Sequence, residues 1–237
     1  SDMTFSMVLM SEVIFLPLGI WTVCCFYRLM SGEDRRPRRL CVELGLLIYL
    51  LYLDKEIALV FPIAYALYVL TAAAAQKRGR DLTGRGARAE FANLLIMALT
   101  FAACFLAMKL TLFAGLGNSY NQSSPDILLE PGRIRYMLYG FVYYLAYALI
   151  GFAFFPIMLP ALQFRRLGPD ERRLYLFLIY LLVVSAAVVA YTITVREDFD
   201  IQIPRAHLRY ICYLLIPFLI LFFRRLEAGA EITGKRL

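Results

Sequence analysis

The chain of 237 residues is 61% hydrophobic and only 18% charged, with a formal net charge of +7 and a mean hydropathy of +0.66. A soluble globular chain is about 45–50% apolar and about 25% charged, so an ordinary soluble domain is excluded and the membrane class is indicated. The basic surplus does not point to nucleic acid: 18 of the 25 basic residues lie in four short segments beside apolar runs, not on an amphipathic or aromatic-interleaved surface.

Seven apolar runs follow one another, at 5–27, 40–53, 57–75, 91–115, 136–164, 174–194 and 208–223. A bilayer's hydrocarbon core takes about 20 residues of helix to cross. The second run has only 14 residues and is separated from the third by Asp54, Lys55 and Glu56. The two predict a tight helical hairpin with a charged tip, with a re-entrant or interfacial pair as the other reading. The basic residues fall five in 28–39, five in 76–90, four in 165–173 and four in 224–237. The positive-inside bias assigns these segments to the cytoplasm, and hence the N-terminus, 54–56, 116–135 and the stretch VREDFDIQIPRAHLRY (195–210) to the exoplasmic face. The expected fold is all-α, a polytopic bundle of seven spans with an exoplasmic N-terminus and a cytoplasmic C-terminus. Residues 1–237 form a single transmembrane domain without a separate soluble one. The chain is expected to be integral to a bacterial plasma membrane. Its start lacks the basic n-region of a signal peptide, and the sequence reads as one entered partway through a longer protein.

The five cysteines sit in or beside apolar runs with no metal spacing, and read as small packing residues. Pro17, Pro62, Pro156, Pro160 and Pro217 lie inside runs, where each removes a backbone donor and bends a helix. No nucleotide-binding, nucleophile-elbow, zinc-protease or calcium-loop motif is present, and no cofactor is evident.

Ionisable groups within or at the rim of spans are the candidates for function, because lipid tolerates them only beside a partner or a wet cavity. Glu12 is either a carboxylate lining a polar cavity or a helix-end acid reaching the interface. Glu43, beside the arginines at 35–39, reads as an acid snorkelling to the cytoplasmic surface. Asp54 and Glu56 suit helix capping, and Lys55 is a cation placed for a phosphate. Arg205, His207 and Arg209 open the last run. Two guanidiniums at that depth suit a lipid phosphate, and the histidine suits hydrogen bonding or proton transfer; an interfacial anchor with Tyr210 is the other reading.

Three stretches together, MSEVIFLPL (10–18), GLLIYLLYLDKEIA (45–58) and HLRYICYLLIP (207–217), resemble the GT-C superfamily of polytopic glycosyltransferases, which includes the protein mannosyltransferases and the aminoarabinose transferases. The resemblance implies transfer of a sugar from a polyprenyl-phosphate donor on the exoplasmic face to a glycan, lipid or protein acceptor. It places Lys55, Arg205 and Arg209 at the donor phosphate, with Glu12, Asp54 and His207 lining the cavity. The family's catalytic acid lies in an exoplasmic loop after its first span, which this chain lacks, so the resemblance also implies a C-terminal portion of such an enzyme. A membrane protein of another class, a transporter or a lipid-carrier or assembly subunit, is the competing expectation; carriers place their charges near the bilayer midplane and often show repeats, whereas here the charges gather at a rim.

Overall fold

The computed structural model describes residues 2–32, 34–79, 86–111, 132–151, 154–194 and 211–234, with the backbone alone at 2–12 and 228–234. Every regular element among them is helical: α1 (Asp2–Ser31), α2 (Pro37–Asp54), a 3-10 turn (Glu56–Leu59) running into α3 (Val60–Lys77), α4 (Ala87–Thr111), α5 (Arg133–Gly151), α6 (Phe155–Leu162), α7 (Pro169–Thr194), and a 3-10 turn (Cys212–Leu214) leading into α8 (Leu215–Gly234). Helices are what such runs must form, because hydrocarbon offers backbone N–H and C=O groups no partner outside the helix itself.

Local chemistry sets the ends. Pro37 sits in the first turn of α2, where its missing N–H is of no consequence. Asp170 and Glu171 open α7, at the end where a helix favours negative charge. Gly79, at φ +72°, turns the chain out of α3 in a conformation that a Cβ would oppose.

Among the described residues, four helices are long and apolar enough to cross a membrane: Val13–Ser31 within α1, Glu56–Lys77, Ala87–Thr111 and Pro169–Thr194. A fifth is obtained if α5 and α6 count as one broken span, bent by 93°. The helices α2 and α8 fall short of that test; α2 carries Arg38, Arg39, Glu43 and Asp54 within its length, and α8 is polar in its second half. The single run expected over 136–164 is two helices. Phe154 stands at φ +58°, unusual for a residue with a side chain, and its N–H donates to the Leu149 carbonyl at 2.7 Å, five residues back. Pro156, in the first turn of α6, follows this break.

The bundle is organised around α7, which packs against α1, α3, α5 and α8; α2 lies against α1 and α4, α4 also touches α3, and α6 rests on α8. The aromatic centre is the Phe26 ring, 4.7 Å from Phe177, 5.2 Å from Tyr65 and 6.4 Å from Phe61, so α1, α3 and α7 meet there. The backbones of α2 and α4 come very close at Gly45, where a Cβ would stand 2.8 Å from the Met97 carbonyl oxygen. Small residues allow that approach in lipid, where packing, not water exclusion, holds helices together.

One end of the bundle carries the arginine clusters, and its acids tie them down. Arg28 pairs with Asp34 at 2.9 Å, and Arg39 with Glu43 at 3.0 Å. Arg173 reaches both Asp170 at 2.9 Å and the Met30 carbonyl at 3.0 Å, fastening the end of α1 to the start of α7. Arg225 pairs with Glu171, joining α8 to α7, and also donates to the Arg166 carbonyl at 3.0 Å.

Candidate functional site

At the end opposite the arginine clusters, Lys55 occupies the corner between α2 and the 3-10 turn. Its backbone is extended (φ −149°, ψ 126°), its N–H donates to the Leu51 carbonyl at 2.7 Å, and its own carbonyl accepts from Ala58 N–H at 3.0 Å. The corner thus closes one helix and starts the next with a single residue between them. The ammonium lies 5.2 Å from the centroid of the buried Phe15 ring of α1, a cation–π distance. Asp54 and Glu56 flank Lys55 and are half-buried, as is Lys55 itself.

Phe15 connects this corner to the other elements at the same end. Its ring meets Tyr213 edge-on at 5.7 Å, Tyr213 lies 5.4 Å from Phe61 of α3, and the Tyr213 hydroxyl is 3.5 Å from the Ser185 hydroxyl of α7. Tyr213 is only 1% exposed, so the first turn after residue 210 is anchored in the core beneath Lys55. A second cation borders the same end. Arg133, at the start of α5, donates to the Thr194 carbonyl at 3.4 Å, at the last residue of α7, where a helix favours positive charge. Ile57, two residues beyond Lys55, and Met137, one turn into α5 from Arg133, pack against the same buried cluster of Tyr144, Ala186, Val189 and Ala190, so both cations lie toward the same end of the bundle.

Of the residues expected at the site, Lys55 and Asp54 share this corner. Glu12 falls one turn before Phe15 in α1, and its side chain lies outside the described residues. Arg205, His207 and Arg209 also lie outside them, so the expected arginine pair is not located. Arg133 was not singled out in the sequence, where it stands at the edge of a turn-rich loop beside Arg135; its signal was the basic pair opening a helix after Pro131 and Gly132. Glu43, with its Arg39 partner, lies at the arginine-rich end.

A second polar cluster lies inside the bundle, in a place the sequence reading treated as loop. Glu90, counted with the basic segment 76–90, belongs to the first turn of α4 and is fully buried. Its Oε2 accepts from the Tyr65 hydroxyl of α3 and from Asn93 Nδ2 at 3.3 Å. The available signal was spacing: Glu90, Asn93 and Met97 stand at i, i+3 and i+7, one helical stripe, and they are the buried residues of α4. No group of three or more His, Cys, Asp or Glu placed to hold a metal occurs among the described residues.

Comparison with protein-family models, with curated proteins and with solved structures finds no match to this chain. Its helices nevertheless make it compatible with a multi-pass integral membrane protein.

Proposed function

We propose that the chain is a GT-C-like glycosyltransferase, or the C-terminal portion of one, that uses a polyprenyl-phosphate-linked sugar on the exoplasmic side of the membrane. In this reading α2 and α8 join the longer helices to give seven spans, and the arginine-rich end faces the cytoplasm. The observation that carries it is Lys55: an ammonium held over an aromatic ring at the rim of the bundle, on the end away from the arginine clusters.

The chemistry asks for a cation at that point. Attack of an acceptor hydroxyl on the anomeric carbon breaks the bond to the donor's phosphate oxygen, and negative charge grows on the departing phosphate. A fixed ammonium stabilises that charge more than the ground state, which is what lowers a barrier. Arg205 and Arg209 are assigned to the same phosphate, with Glu12, Asp54 and His207 around the sugar. No described residue is assigned as the general base that takes the acceptor's proton.

The test is transfer of labelled sugar from a polyprenyl-phosphate donor by membranes containing the chain, together with donor binding by the purified protein. Lys55→Ala is expected to lower transfer at least tenfold, while Lys55→Arg retains part of it. Donor binding without transfer by the wild type would assign the chain to lipid carriage or assembly, and donor binding unchanged by Lys55→Ala would remove Lys55 from the site.

A further inference from the structure

The carboxyl of Glu90 lies within the apolar stretch of α4 at 0% exposure. The groups facing it are few. From α3 come Tyr65, which donates to Oε2, and Tyr68, stacked on Tyr65 at 6.0 Å. From α2 comes Cys41, beside Tyr65, and from α4 itself Asn93. Phe26 of α1 closes the far side of Tyr65 at 5.2 Å. Both donors converge on Oε2, and Oε1 has no hydrogen-bond partner. No Lys, Arg or His among the described residues forms an ion pair with Glu90.

Charge bookkeeping is therefore incomplete on one side of the carboxyl. A buried anion must be compensated, because the loss of hydration is far larger than one neutral hydrogen bond returns. The first turn of α4 contributes the equivalent of about half a positive charge, and Tyr65 and Asn93 contribute dipoles to the other oxygen. These contributions fall short of a full positive charge, and none of the donors reaches Oε1. We propose that Glu90, oriented by Tyr65 and Asn93, is the binding site of one exogenous monovalent cation, a proton or an alkali metal ion. Ionisable groups inside membrane bundles mark ion-binding positions for this reason. The site stands apart from the Lys55 corner and does not depend on sugar transfer.

The experiment compares the thermal stability of the purified full chain with that of Glu90→Gln, which keeps an acceptor for Tyr65 and removes the charge. Both are measured in sodium, potassium or choline chloride at constant ionic strength, and from about pH 5 to about pH 9 in choline chloride. The wild type is expected to gain about 5 °C in Tm along at least one of these series while Glu90→Gln does not. A response to sodium or potassium at fixed pH identifies an alkali ion; a response to pH in choline alone identifies a proton. If Glu90→Gln does not fold, labelling of wild-type Glu90 by a hydrophobic carbodiimide gives the same answer. The carboxyl's oxygen and proton add across one C=N bond with nothing leaving, so labelling rises with proton occupancy and falls when an alkali ion displaces the proton. Identical Tm profiles for the two proteins, or labelling indifferent to pH and to both ions, would overturn the proposal.

Discussion

The helices α4 and α7 look alike as sequences, 25 and 26 residues of mostly apolar side chains, yet they occupy opposite situations. Half of the apolar stretch of α7 is buried within the bundle, against 11% for α4. Phe177, Leu178 and Leu181 of α7 are at 0% exposure, whereas Leu106 and Leu110 of α4 are 56% and 83% exposed. The buried stripe of α4 contains Glu90 and Asn93, so these two polar residues face protein while Leu95, Leu99, Leu106 and Leu110 face outward. In lipid the apolar residues gain nothing by hiding, and the polar ones decide which face turns inward.

The sharpest way to break that contrast is at Gly45. Gly45→Leu drives a branched side chain into the Met97 carbonyl and the Thr100 side chain. It is expected to cost about 3 kcal/mol and to release α4 from α2, measured as lost folded yield and new protease cleavage around α4. Next in size is Leu181→Ala in α7, expected to cost about 2 kcal/mol in a reversible detergent-unfolding titration. That is the low end of the range for core truncations, because the unfolded reference also lies in an apolar medium and only packing is lost. Tyr65→Phe removes one of two donors from a buried carboxyl and is expected to cost about 1 kcal/mol by the same titration, with Asn93 left as the remaining partner. Smallest is Leu110→Ala at the exposed end of α4, expected within about 0.5 kcal/mol of wild type. An equal cost for Leu181→Ala and Leu110→Ala would mean that a partner covers α4 and that its exposure is a property of the isolated chain.

Much of the helical pattern was legible in advance because hydrocarbon leaves the backbone only one way to satisfy itself. The corner at Lys55 was readable from three charged residues between two apolar runs, and the helix ends at 31 and 77 from glycine and arginine clusters; the tight pairing of the two runs was not borne out, since α2 packs on α1 and α4 while α3 packs on α7 and α4. The break within 136–164 was not, since Pro156 in an apolar run marks a kink in one helix as readily as the boundary of two. Glu90 was missed for a related reason: its neighbours in sequence are loop-like and basic, and only the approach of α3 turns the first turn of α4 into an interior.

By itself, then, the sequence determined that the fold is helical, most of the helical elements and the clustering of arginine in the short segments beside the apolar runs, all of which follow from local composition. Tertiary structure decided which face of each helix is inside, that Lys55 stands over Phe15, that Tyr213 anchors the last helix beneath it, and that Glu90 is enclosed by Tyr65 and Asn93. Those outcomes depend on contacts between residues far apart in the chain, and near-uniform apolar helices carry almost no periodic signal to announce them.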